Sequence, residues 1–193
     1  WQSVNDIRVG PLLPANGPIL RALELPVTYG ITCAADMGRA AFMENLERAL
    51  QGGLRLVQVR ETGLDRRALM VFAQEVVALA RRAGARVLVN ADPALAAEAG
   101  ADGVLVRPSH YYKSQMNDEV LFAHYTAVAD ASPVPVLLYN MPANTGISLS
   151  SSLVARLSHH PNIVGIKDSS GNIVGLSEMV RDSVAGFSVL AGS

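Results

Sequence analysis

From residue 27 onward, short apolar runs alternate with longer stretches of helical period. The short runs lie at 29–32, 54–60, 86–90, 103–107, 134–139, 163–167 and 187–191. They have the length and the β-branched content of strands. The longer stretches, at 39–50, 64–83, 118–131, 149–158 and 174–183, carry apolar residues three and four apart. In the second of them Leu69, Phe72, Val76, Leu79 and Ala80 share a face, and Gly84 is a stop signal. Helical pattern also ends near Gly52 and Gly100, each time a few residues ahead of the next strand. This repeated βα rhythm predicts an α/β fold, a parallel sheet with helices outside. Seven strands in this order predict a (β/α)8 barrel of the TIM type, truncated after the seventh strand, since whole barrels run to about 250 residues. A doubly wound open sheet is the alternative. It is weakened because no G-x-G-x-x-G follows the first strand.

Residues 1–26 show neither period and hold Pro11, Pro14, Pro18 and Pro26. They read as a linker with one short helix at 18–25, which leaves 27–193 as a single barrel domain. The chain starts at Trp1 without the basic start of a secretory signal, and reads as a piece of something longer. Net charge is -1 and 17% of residues are charged, so no basic surface suggests nucleic acid. No run of about 18 apolar residues suggests a membrane span. Cys33 is the single cysteine, which excludes an internal disulfide or a cysteine metal site and points to a reducing compartment, the cytoplasm.

Candidate chemistry sits where two apolar runs end. Ile163-Val-Gly-Ile166 leads into Lys167, and the run from Val134 ends at Tyr139. A desolvated lysine beside a phenol is the equipment of Schiff-base chemistry, because an amine attacks a carbonyl only without its proton. Strand alternation puts Ile163, Gly165 and Lys167 on one face, with Gly165 leaving room for a substrate. Barrel enzymes place their chemistry at this end of the strands. The plainer reading is a strand-end lysine facing solvent. Four histidines, His110, His124, His159 and His160, show no ligand spacing, so no metal is expected. Gly171 to Gly175 is too short for a phosphate loop.

Residues from about 104 resemble the dihydrodipicolinate synthase and N-acetylneuraminate lyase superfamily of class I aldolases. The likeness rests on Val104-Leu-Val-Arg-Pro-Ser-His-Tyr-Tyr112, Leu138-Tyr-Asn-Met-Pro-Ala-Asn-Thr-Gly146 and Pro161-Asn-Ile-Val-Gly-Ile-Lys-Asp-Ser-Ser-Gly171. Asn144 stands where dihydrodipicolinate synthases usually carry arginine, which is closer to 4-hydroxy-2-oxoglutarate aldolase-like members. The resemblance implies an imine between Lys167 and pyruvate or a related 2-oxo acid, with Tyr139 as proton relay. It implies a second relay at Tyr112, often given across a subunit interface, and hence a homo-oligomer. Asn144, Thr145 and Gly165 become substrate-binding candidates, and neither cofactor nor metal is implied. The family's Gly-Thr-Thr-Gly-Glu-like carboxylate loop is replaced by Arg60-Glu-Thr-Gly-Leu64. Arg60 has the chemistry to pair with a carboxylate.

Residues 28–103 are similar instead to thiamin phosphate synthase and TenI-like proteins. The matching phrases are Tyr29-Gly-Ile-Thr32, Leu56-Val-Gln-Val-Arg-Glu61, Val87-Leu-Val-Asn90 and Ala99-Gly-Ala-Asp-Gly-Val104. Residues 10–17 resemble the connector after a Nudix domain. That family's Gln-x-Arg-x-Lys grip survives only as Gln58 and Arg60, with Thr62 at the lysine position. Its magnesium-binding Asn-Asp becomes Asn90-Ala91, with Asp92 displaced by one. The chain therefore reads as a half-barrel chimera joined near 100–104. The expected activity is a Schiff-base aldolase or lyase; the alternatives are a thiamin phosphate synthase-like transferase and a chimera without turnover.

Overall fold

The structure is a computed structural model that describes Pro26 and residues 28–192. The linker expected at 1–26, its helix at 18–25 and the connector at 10–17 lie outside the described residues, Pro26 excepted. Seven strands form one parallel sheet in sequence order: β1 (Gly30–Ile31), β2 (Leu56–Val59), β3 (Arg86–Val89), β4 (Gly103–Val106), β5 (Val136–Asn140), β6 (Ile163–Asp168) and β7 (Ser188–Ala191). The helices between them are α1 (Ala34–Met37), α2 (Arg39–Gln51), α3 (Arg66–Arg82), α4 (Pro93–Ala99), α5 (Asp118–Ala131), α6 (Pro142–Thr145), α7 (Ser151–Leu157) and α8 (Ile173–Asp182). This is the expected α/β barrel architecture, stopping at its seventh strand.

Local chemistry sets the helix starts. Asp65, Asp92, Asn117, Ser150 and Asn172 each accept a backbone N–H from the first turn of the helix that follows. α4 is absent from the periodic pattern because it is only seven residues long. Its signals are terminal ones, Asp92 before Pro93 at the start and Gly100 at φ 75° at the end. Asp92 thus serves as a cap and ion-pairs with Arg66.

Two apolar layers flank the sheet. The outer one joins Val57, Val87, Val104, Val136, Leu138 and Ile166 to helix residues such as Phe72, Val76, Leu153 and Leu157. The inner one gathers Leu88, Leu105, Leu137 and Tyr139, flanked by Leu56, Met141, Val164 and Leu190. The sheet curls enough for β6 to touch β2 across the interior, where Lys167 Nζ lies 3.3 Å from Gln58 Oε1.

Simple alternation fails in β6, and the failure positions the site. Val136 pairs with Ile163, but Leu137 pairs with Gly165, so β6 carries one extra residue. Such a bulge reverses the facing of everything beyond it. Ile163 consequently packs in the outer layer, while Lys167, in register with Tyr139, turns inward. Of the face expected to be shared by Ile163, Gly165 and Lys167, the last two remain together, in register with the inward Leu137 and Tyr139, and Ile163 leaves it.

Gly165, a substrate-binding candidate, lies tight against the neighbouring strand. A Cβ there would lie 2.6 Å from the carbonyl oxygen of Ser188 and 3.1 Å from its Cβ. The space belongs to β7, and the glycine permits close strand approach. Gly165→Ala is expected to destabilise the chain by about 1–3 kcal/mol through overpacking. Urea unfolding measures this, and an unchanged midpoint would contradict the assignment.

Candidate active site

Lys167 enters the interior near the C-terminal end of β6 and is 2% exposed. Its amine lies 4.6 Å from the ring centroid of Tyr139 and 5.1 Å from that of Tyr29. Two electron-rich rings and the Gln58 carbonyl therefore take the place of water around it. Tyr139 is 2% exposed, and its hydroxyl donates to Met141 Sδ at 3.1 Å. This cluster draws on β6, β5 and β2 and on Tyr29 just ahead of β1.

The residues beside the pair hold the strand ends still. Asn140 Nδ2 donates to Asp168 Oδ2 at 2.6 Å, and Asn140 Oδ1 accepts from Leu149 N at 3.0 Å. Asp168 Oδ1 accepts from the backbone N and the hydroxyl of Ser170 at 3.0 and 2.6 Å. Backbone bonds from Ser169 N to Asn140 O and from Gly192 N to Asp168 O complete the clasp. Gly192 brings the chain after β7 over the lysine stem: a Cβ on it would lie 2.8 Å from Lys167 Cε.

The other sequence-predicted site residues are placed differently. Thr145 is 1% exposed, and its hydroxyl bonds only to backbone groups of Met141 and Ile147. It fastens the loop after β5. Asn144 is exposed on that loop. Tyr112 is 62% exposed and meets Tyr111 edge-on at 4.9 Å, outside the lysine cluster. Arg60 is exposed at the end of β2, and its backbone N–H donates to the Thr32 hydroxyl at 2.9 Å. Its neighbour Glu61 turns inward to accept from Ala34 N at 2.9 Å, at the start of α1. Among the described residues no three His, Cys, Asp or Glu gather to hold a metal ion. No described helix is long and apolar enough to cross a membrane.

A cleft of about 670 Å³ opens above the ends of β3 and β4, lined by Asn90, Arg107, Ser109, His110 and His124 among others. It does not contain Lys167. Its floor at Leu105 belongs to the inner layer that Tyr139 also joins. Among the described residues His124 Nε2 is buried there without a hydrogen-bond partner, and burial holds the imidazole below its ordinary pKa.

Against known proteins, residues 71–193 match the family model described as the dihydrodipicolinate synthetase family. The chain belongs to this family. The match opens within α3, upstream of residue 104, where the motif resemblance starts. It does not extend to the residues before 71, whose likeness to thiamin phosphate synthase and TenI-like proteins is not shown. A probable mitochondrial 4-hydroxy-2-oxoglutarate aldolase from Emericella nidulans is 48% identical over 99 residues, covering 51% of this chain and 32% of the relative. A 4-hydroxy-tetrahydrodipicolinate synthase from Syntrophus aciditrophicus is 44% identical over 95 residues, covering 49% and 32%. The aligned part thus spans about a third of these relatives. Among solved structures, a dihydrodipicolinate synthase from Bacillus anthracis shares the fold with TM-score 0.74 at 24% identity, over 86% of this chain and 63% of that one. The enzyme from Aquifex aeolicus gives 0.68 at 27% identity, over 78% and 56%.

For this dihydrodipicolinate synthetase family member, sequence reasoning missed Tyr29 and Gln58 as neighbours of Lys167. A signal existed: Gln58 falls on the inward parity of β2 with Leu56, where a polar residue demands a reason. Asn140 and Asp168 were missed too, although each is the polar last residue of its strand, directly after Tyr139 and Lys167.

Removing Asp168 should loosen the ends of β5 and β6 together. Asp168→Ala strands the Asn140 amide and is expected to cost about 1–3 kcal/mol, read by chemical denaturation. His124 sets a pH dependence. Its folded pKa lies below the unfolded value of about 6.5, so the folded chain binds fewer protons than the unfolded one. The stability it contributes is complete above pH 6.5 and is lost as pH falls toward the folded pKa. His124→Gln should flatten that part of the stability profile; an unchanged slope would discount the histidine.

Proposed function

We propose that the chain is a class I (Schiff-base) aldolase or lyase acting on pyruvate or a related 2-oxo acid. Lys167 is the nucleophile and Tyr139 the proton relay. The observation that carries this reading is the register pair Tyr139–Lys167, with the amine buried over the phenol ring at the C-terminal end of the strands. The amine adds to the 2-oxo carbon, and loss of water leaves a protonated imine. When the bond beyond the adjacent carbon breaks, its electron pair flows into the imine and gives an enamine. The hydroxyl on the departing fragment gives its proton to the Tyr139 relay as that fragment leaves as an aldehyde, and the relay returns a proton to the enamine carbon. Hydrolysis then frees the keto acid and the amine.

The relative named as a 4-hydroxy-2-oxoglutarate aldolase supports a hydroxylated 2-oxo diacid as the substrate to be cleaved. Asn144, on the loop that Thr145 fastens, is its candidate contact, and Arg60 a more distant one. Tyr111 and Tyr112 form an exposed aromatic pair suited to an interface between copies, through which Tyr112 would serve a neighbouring site of a homo-oligomer. In this reading residues 27–103 are the thiamin phosphate synthase-like half, 104–193 the aldolase-like half and 1–26 the linker of a chimeric, cytoplasmic chain. The transferase alternative draws no support: Gln58 faces the lysine, Asp92 caps a helix and Thr62 replaces the grip lysine.

Borohydride reduction in the presence of pyruvate tests the proposal. It should add the mass of one reduced pyruvate to the chain, and Lys167→Ala should take up none. A folded wild-type chain that stays unmodified would sink the imine reading and leave a chimera without turnover.

A further inference from the structure

The buried groups without a hydrogen-bond partner among the described residues include the hydroxyl of Tyr29 and Nε2 of Gln58, two residues that face Lys167, and Oγ of Ser169 near the lysine stem. Gln58 is 0% exposed, and its other terminal atom, Oε1, already faces the lysine amine at 3.3 Å. The Tyr29 ring lies under the same amine. Buried polar groups in native folds are almost always paired, so orphan atoms on two residues that both face one amine call for a ligand.

The charge around them specifies its sign. Asp168 is spent on Asn140 and Ser170, and Glu61 on the first turn of α1. Among the described residues no carboxylate bonds to the amine, and the unpaired amide nitrogen and phenol hydroxyl can both donate. The arrangement suits an anion.

We infer that Gln58 and Tyr29 form the carboxylate clamp for the 2-oxo acid, supplied by the part of the chain that precedes the family match. The inference rests on the imine reading of Lys167. In a 2-oxo acid the carboxylate is bonded to the carbon that the amine attacks, so it must lie within a bond or two of Nζ. One amide serves both neighbours: Gln58 Oε1 accepts from the imine N–H, and Nε2 donates to the adjacent carboxylate. The Tyr29 hydroxyl donates to the same anion. The exposed Arg60 is not required.

The test compares pyruvate with acetone, a ketone that lacks the carboxylate, in borohydride trapping of wild type, Gln58→Leu and Tyr29→Phe. Circular dichroism confirms that each variant folds, and Tyr29→Phe removes one oxygen only. The preference for pyruvate over acetone should fall about tenfold or more in each variant, the size expected for a lost hydrogen bond to a charged group. Both variants keeping the wild-type preference would overturn the clamp and leave the imine reading intact. If wild type traps neither ketone, the imine reading fails. Calorimetric titration with pyruvate then decides the clamp: binding by wild type that either variant loses supports it, and no binding by wild type overturns it.

Discussion

An amine held out of water inside a parallel sheet constrains everything around it. Desolvating a charge or a strong donor is costly unless other groups replace the lost water. Here the replacement is two aromatic faces and one amide oxygen, drawn from opposite sides of the curled sheet. The interior can satisfy Lys167 only if β6 and β2 face each other, so the curvature and the lysine are coupled. A flat sheet with the same strand order would leave Gln58 and Lys167 far apart, one stranded among leucines and the other without its oxygen.

That coupling explains why small irregularities matter more than the strands themselves. One extra residue in β6 decides whether the lysine points into the inner layer or among the helices. The bulge is held from both sides: Gly165 lets β7 approach closely, and the Asn140–Asp168 clasp fixes the ends of β5 and β6. Asn140 and Asp168 bond to each other across adjacent strand ends, and Tyr139 and Lys167 pair one step earlier in the same register. The clasp thus orients the candidate chemistry from behind, without touching it.

The strand and helix order was legible in the sequence because valine-rich runs and 3.6-residue periods are local properties. So were the strand-end positions of Lys167 and Tyr139. The facing of Lys167 was not, since alternation counts residues and cannot see a bulge. The surroundings of Thr145 and Gly165 were not legible either, because the hydroxyl of one bonds to backbone groups and the other lies against Ser188 of the next strand, neighbours that sequence does not display. Gln58 was visible as an anomaly, a buried amide on a leucine face, but its partner lies 109 residues away in the chain. Only the curl of the sheet joins them.

The two segments consequently meet in one place chemically as well as topologically. Residues 71–193 carry the family likeness and the lysine, whereas Tyr29 and Gln58 lie before that range. A β/α barrel can bring such residues together because each βα unit packs mainly on its neighbours and presents its strand end to a shared interior. What the units must agree on is the content of that interior. Leu56, Leu88, Leu105 and Leu137 agree by filling it, and Gln58 and Tyr29 by offering polarity where β6 places its amine. An inner layer with leucine at position 58 would pack equally well around its neighbours and leave the amine without its oxygen partner. Fold compatibility alone therefore does not account for Gln58, and the chemistry of the amine does.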